Sequence, residues 1–285
     1  MIVAITGSGG FIGKHLCAFF QTRGYVLRKL YRIHAKSDIA RLTEVLEEVD
    51  IVVNLAGASI NRRWTRKSKK IMMDSRSITT QKIVEAIKLA SKKPKLLLSS
   101  SAVGIYAQEG IHTEKEFKLA DDFLSEICQE WEREALKAMP YTRVCVVRFG
   151  VVLGKEGGIL KRLIPLFKAG FGGRIGSGKQ PMSWIHIYDV IKAIDLMIET
   201  ETMNGIYNLT SPQAVTNQKF TRVLASQFNE PAFMAVTSWV LNLLYGEGAK
   251  AIGGGQNVLP QRLLDAGFKF NFPTLAEALD DIIHH

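Results

Sequence analysis

The segment Ile2-Val3-Ala4-Ile5-Thr6-Gly7-Ser8-Gly9-Gly10-Phe11-Ile12-Gly13 decides the fold. An apolar run ends on glycines, and a helical pattern with Ile12, Leu16, Phe19 and Phe20 on one face follows at once. Strand, glycine turn and helix in that order predict a nucleotide-binding unit. Gly7 takes the tight turn after the strand, Gly10 lets the backbone approach a pyrophosphate, and Gly13 lets the helix pack closely on the sheet. The unpaired N–H groups at the helix start then face phosphate. Gly7, Ser8, Gly10, Phe11, Ile12 and Gly13 are the candidate cofactor contacts of this turn.

Outward from this unit, short apolar runs alternate with amphipathic stretches. Residues 26–30, 51–55, 96–98 and 144–148 read as strands, and 39–49, 67–90 and 123–138 as helices. The alternation predicts a Rossmann-type, doubly wound α/β fold with a parallel sheet covered on both faces. Residues 205–209 read as a late strand returning to the sheet, and the helical patterns beyond Ser211 cannot belong to the parallel core. The expected division is a dinucleotide-binding domain of residues 1–155 and 182–210. A smaller, mainly helical substrate-side lobe takes 156–181 and 211–285. Glycines at 154, 157 and 158 and again at 172, 173, 176 and 178 either frame a ligand mouth or form a plain surface loop.

Composition narrows the function class. With 47% hydrophobic and 22% charged residues the chain is globular, and no apolar stretch approaches the roughly 18 residues of a membrane span. The chain opens directly on a strand, so no secretory leader is expected and the expected compartment is the cytoplasm. Three cysteines without a CxxC pair (Cys17, Cys128, Cys145) and six scattered histidines predict neither a disulfide framework nor a metal site. The balance of 37 Lys and Arg against 27 Asp and Glu, formally +10, suits nucleic acid, a membrane surface or a polyphosphate alike. Its densest cluster, Arg62, Arg63, Arg66, Lys67, Lys69 and Lys70, reads as a solvated helix face or as an anion-collecting rim. No helix-turn-helix, RNA-recognition or zinc-finger pattern accompanies the charge, so a nucleic-acid partner is not expected.

The spacing Gly7-x-x-Gly10-x-x-Gly13 resembles the short-chain dehydrogenase/reductase superfamily, and the wording around it resembles the extended, sugar-nucleotide-epimerase-like branch. Asn54-Leu55-Ala56-Gly57 is similar to the NxAG turn after that superfamily's fourth strand, which implies cofactor contacts at Asn54, Ala56 and Gly57. Ser99-Ser100-Ser101 is similar to the end of its fifth strand, where the active-site serines lie. Further motifs resemble an atypical subgroup labelled epimerase family protein. They are Arg62-Arg63-Trp64-Thr65, Ser101 to Tyr106, Arg148 to Gly154, Trp184 to Asp189 and Leu259-Pro260-Gln261-Arg262-Leu263. The resemblance covers essentially the whole chain and places Ser99 and Arg148 among the cofactor contacts.

The same resemblance implies an acid/base tyrosine with a lysine four residues on, in the helix that follows the serine strand. That helix has Phe123 and Ile127 at the required spacing, and neither exchanges protons. Tyr25 and Lys29 share the spacing but belong to the second strand. The remaining candidates for catalysis are Ser101, with Ser100 as its runner-up, Tyr106 and His186. For the serines the alternative is a strand end satisfying its own turn, and for His186 a hydrogen-bonded strand histidine. Asp189 reads as a helix N-cap, and Trp64 and Trp184 as pocket walls or core.

At the end of the second strand, where NAD-specific folds carry an acid, the chain reads Arg28-Lys29-Leu30-Tyr31-Arg32, and the first acid is Asp38. Arg32 is the candidate partner of a 2′-phosphate, or else a solvated strand-end arginine, and NADP(H) is the expected cofactor. The expected function is that of an NADP(H)-binding atypical short-chain dehydrogenase/reductase. It acts as an oxidoreductase or epimerase-like enzyme on a small molecule, as a monomer or homodimer off the membrane. The alternative is a non-catalytic NADP(H)-binding sensor.

Overall fold

The computed structural model describes residues 1–31, 39–236 and 238–285. Six strands form its central parallel sheet: β1 (Ile2–Thr6), β2 (Val26–Leu30), β3 (Ile51–Asn54), β4 (Leu96–Ala102), β5 (Arg143–Phe149) and β6 (Gly205–Leu209). They lie in the order β6-β5-β4-β3-β1-β2. Alternation within each strand explains the layers, because side chains two apart share a face. Val3, Ile5, Ile51, Val53, Leu96, Leu98, Cys145 and Val147 face one core, built with helices α1 (Phe11–Thr22) and α6 (Ile187–Glu199). Ala4, Val52, Leu97, Val144 and Val146 face the other, built with α2 (Ile39–Leu46), α3 (Arg66–Leu89) and α4 (Phe123–Leu136). Both faces are covered, which is why these strands read as near-continuous apolar runs.

A third core draws on no strand of the central sheet. It joins α5 (Leu160–Lys168), α7 (Asn217–Ser226) and α11 (Leu275–His284) around Leu153, Trp184 and Val215. Before α11 the chain returns to the sheet domain. From α10 (Gln261–Asp265), Arg262 donates to the carbonyls of Ile206 and Asn204, 2.8 Å each, and Leu263 sits in the α1/α6 core. Asp189 fixes the next stretch by accepting the N–H groups of Asn271 at 2.8 Å and Phe272 at 3.0 Å. Asp189 is therefore not the N-cap of α6. That position belongs to His186, whose Nδ1 accepts from the Tyr188 N–H at 3.1 Å. No helix among the described residues is long and apolar enough to cross a membrane.

Candidate cofactor crevice and active site

β1 has β2 on one side and β3 on the other, so the chain leaves it in opposite directions and a crevice opens at the carboxyl ends of β1 and β3. Gly7, Gly10 and Gly13 line its floor. Gly7 has φ +67°, and a Cβ there would lie 2.6 Å from the Leu55 carbonyl oxygen. At Gly13 a Cβ would lie 2.3 Å from the Gly7 carbonyl oxygen and 2.9 Å from the Ser8 Cα, so only glycine lets α1 start this close to the turn. Gly10 is the N-cap of α1 and supplies no side-chain cap, which leaves the first N–H groups of the helix for another acceptor. The Ser8 hydroxyl is buried and has no hydrogen-bond partner among the described residues. A buried hydroxyl in that state costs about 1–3 kcal/mol, and a phosphate oxygen would satisfy it. These features fit a dinucleotide pyrophosphate. Phe11 and Ile12 follow directly, and glycines 154, 157 and 158 pack on the Phe11 ring; a Cβ at Gly157 would sit 2.2 Å from it.

Asn54 is fully buried and its side chain is consumed internally. Its Oδ1 accepts from the Thr6 hydroxyl at 2.8 Å, and its Nδ2 donates to Thr80 at 2.8 Å and to Ser99 at 3.3 Å. Thr6 Oγ1 in turn accepts the Leu55 and Ala56 N–H groups, 3.1 Å each, fixing the turn after β3 against the glycine turn. The Ser100 hydroxyl donates to the Asn54 carbonyl at 2.9 Å. Asn54 and Ser99 thus shape the crevice by tying β1, β3, β4 and α3 together. Among the described residues the Asn54 turn follows the third strand and the serines end the fourth, one place earlier than the resemblance implies.

Ser101 points to the opposite face from Ser100 and meets α4, where its hydroxyl donates to Glu132 Oε1 at 2.6 Å. Glu132 forms a two-point pair with Arg148, through Nε to Oε1 and Nη2 to Oε2, both 2.7 Å. Arg148 Nη1 donates to the Tyr106 hydroxyl at 2.6 Å, and that hydroxyl donates to Asn208 Oδ1 at 2.7 Å. Ser101, Tyr106 and Arg148 are thereby brought into one buried chain across β4, α4, β5 and β6. Burial opposes the Arg148 charge, but the Glu132 hydrogen bonds and charge outweigh it and hold the guanidinium pKa above its usual value. Burial also raises the Tyr106 pKa, against the lowering by Arg148, so the phenol stays protonated at neutral pH. Glu132 and Asn208 escaped sequence reading, because Glu132 and Arg148 stand 16 residues apart on different elements and no spacing pattern links them.

Phe123 and Ile127 pack into an apolar cluster with Trp64 and Met72. The Phe123 ring lies edge-on to Trp64 at 5.5 Å and beneath the Lys69 ammonium at 5.0 Å. Around Trp64 fold α8 (Ser238–Tyr245) and α9 (Gly248–Gly253), with Trp64 N–H donating to the Tyr245 carbonyl at 3.1 Å and Lys69 paired with Glu247. Trp184 is entirely buried in the third core, and Trp64 is nearly so. His186 stands apart from the Ser101 chain, on the α6 side. Burial lowers its pKa to about 4, while Asp281, 3.3 Å from Nε2, works against the shift. Tyr25 stacks on Phe20 and reaches Glu199 at the sheet's edge. Arg32 lies outside the described residues. No group of three His, Cys, Asp or Glu side chains among the described residues is placed to hold a metal.

Residues 3–210 match the NAD dependent epimerase/dehydratase family, and residues 236–282 match a domain of unknown function, DUF1731. The chain is 36% identical to the epimerase family protein SDR39U1 homolog, chloroplastic, of Arabidopsis thaliana, covering 99% of this chain and 87% of that one. The crystal structure of human epimerase family protein SDR39U1 (isoform2) with NADPH superposes with a TM-score of 0.93 at 32% identity over the full length of both chains. MoeE5 in complex with UDP-glucose and NAD superposes with a TM-score of 0.80 at 21% identity, covering 100% of this chain and 98% of that one, a likeness of fold alone. With the glycine turn, the sheet order and these matches together, the chain belongs to the NAD dependent epimerase/dehydratase family.

Proposed function

We propose that this protein binds NADP(H) in the crevice at the ends of β1 and β3. There it works as an atypical short-chain dehydrogenase/reductase, an oxidoreductase or epimerase-like enzyme acting on a small molecule in the cytoplasm. The observation that carries the reading is the glycine turn, where close-packed glycines, an uncapped helix start and the unpartnered Ser8 hydroxyl converge. The human relative crystallised with NADPH supports the choice of cofactor. When bound, the nicotinamide donates or accepts a hydride. The helix start and Ser8 hold phosphate, and Phe11, packed under glycines 154, 157 and 158, keeps the turn in place. Ser101, buried with its proton directed at Glu132, holds that carboxylate in place beside Arg148.

The second reading, a non-catalytic NADP(H)-binding sensor, is favoured by the apolar packing of Phe123 and Ile127 where the family's acid/base pair is expected. Two measurements test the proposal. Fluorescence titration of wild type and Arg32→Ala with NADPH and NADH, at two salt concentrations, should show a roughly ten- to hundredfold preference for NADPH that falls in the variant. Tighter binding of NADH by wild type overturns the cofactor assignment, and a ratio unchanged in the variant overturns the role assigned to Arg32. UDP-hexose interconversion at the roughly 1–10³ s⁻¹ of ordinary enzymes would show that the missing pair has a functional replacement.

A further inference from the structure

A charged guanidinium taken out of water normally finds an anion, because an unpaired buried charge costs several kcal/mol. Arg148 obeys this rule through Glu132. Arg76, on α3, is half-buried and has no carboxylate partner among the described residues. Its Nη1 donates to the carbonyls of Ala58 at 3.1 Å and Met72 at 3.0 Å, and the guanidinium carbon lies 5.1 Å from the Trp131 ring centroid. On the other side it lies against Gly57, where a Cβ would come within 2.9 Å of the guanidinium carbon, 3.0 Å of Nη2 and 3.1 Å of Nε. The group is therefore held in position from three directions, while Nε and Nη2, the edge that grips a carboxylate or phosphate at two points, carry no hydrogen bond among the described residues. Burial lowers the Arg76 pKa, the usual sign of a cation lacking compensation.

Its location gives the empty edge a purpose. Gly57 is two residues beyond Leu55, whose carbonyl borders Gly7, so Arg76 stands at the rim of the crevice. Residues 7–13 carry no basic side chain, and the glycine turn itself offers only N–H and hydroxyl donors. We propose that the Nε–Nη2 edge of Arg76 receives an oxyanion of a ligand in this crevice, a phosphate of the dinucleotide or an acidic group of the substrate. This deepens the proposed function, whose crevice it shares, and it assigns to the Gly57 position the task of leaving room for the guanidinium.

The test uses the full chain, with Arg76→Gln, Arg76→Lys and Gly57→Ala, each checked for native circular dichroism and thermal unfolding. NADPH and inorganic pyrophosphate are titrated into the free protein, and inorganic phosphate into the NADPH complex. If the anion is the cofactor's, Arg76→Gln weakens NADPH and pyrophosphate roughly tenfold or more, Arg76→Lys less, and Gly57→Ala follows Arg76→Gln. If it is the substrate's, NADPH affinity holds, while wild type binds phosphate beside NADPH and Arg76→Gln does not. NADPH, pyrophosphate and phosphate binding all within twofold of wild type in a folded Arg76→Gln overturns the proposal. Failure of wild type to bind NADPH overturns instead the proposed function, and pyrophosphate binding to the free protein still judges Arg76.

Discussion

Glu132 of α4 and Arg148 of β5 form a two-point ion pair with both side chains buried, and Ser101 shares the same carboxylate. The pair joins the helix that would carry the family's acid/base tyrosine to the strand beside the serines. Removing one partner strands a charge in the interior.

Glu132→Ala should therefore lower the free energy of urea unfolding by about 3–5 kcal/mol, the usual cost of breaking a buried pair from one side. Glu132→Gln, which keeps a hydrogen-bonding oxygen for Arg148, should cost less. A loss under about 1 kcal/mol in Glu132→Ala would show that the Arg148 charge is satisfied elsewhere.

The glycine turn separates structural from binding roles by position. A Cβ at Gly9 meets nothing within 4 Å, at Gly10 it meets the Gly7 carbonyl oxygen at 3.2 Å, and at Gly13 the same oxygen at 2.3 Å. Gly13→Ala should thus destabilise the fold by about 1–3 kcal/mol in thermal or urea unfolding, and Gly9→Ala by little. Gly10→Val should keep a folded protein while its NADPH titration goes flat. Equal NADPH affinity in Gly10→Val and wild type would remove the pyrophosphate from this turn.

How much of this was legible follows from what a linear pattern can encode. The strand alternation and the glycine spacing are local, and the sheet, α1 and the Asn54 turn follow from them. Arg262 and Asp189 act through contacts 56 and 82 residues away, and so the return of the tail onto the sheet domain left no trace in periodicity. His186 as a cap was hidden for another reason: histidine is an uncommon N-cap, and Asp189 nearby has the commoner chemistry. Arg76 belongs to no motif in the sequence, and only its Gly57 and Trp131 neighbours set it apart from the other cations of α3.

The apolar cluster at Phe123 and Ile127 limits what repair can achieve. Phe123→Tyr adds a hydroxyl at a partly exposed position and should be tolerated within about 1 kcal/mol. Ile127 is 2% exposed among Trp64 and Met72, so Ile127→Lys buries an ammonium without a partner. Its unfolding free energy should fall by several kcal/mol, or its lysine should titrate well below the usual range. The double variant should gain no UDP-hexose epimerisation; clear turnover in it, with wild type inactive, would show that the pocket otherwise retains the family's geometry.

His186 predicts a defined acid limb of stability. Its ring is buried against Phe272 at 4.0 Å between centroids, and burial lowers its pKa from 6.5 to about 4. The folded protein therefore favours the neutral ring, while the unfolded chain takes up a proton near pH 6.5. Stability from this group is complete above pH 6.5, declines as pH falls, and levels off below about 4, when both states are protonated. At 1.36 kcal/mol per pKa unit the loss amounts to about 3 kcal/mol, with the attraction of Asp281 for the protonated ring already included in the shift. His186→Asn keeps a capping acceptor for the Tyr188 N–H and removes the titration. Urea unfolding at pH 7, 5.5 and 4.5 should show wild type losing stability relative to His186→Asn across that window, and the His186 ring should stay neutral by NMR down to pH 5. Parallel pH profiles in the two proteins, or a ring titrating near 6.5, would place His186 in contact with solvent instead.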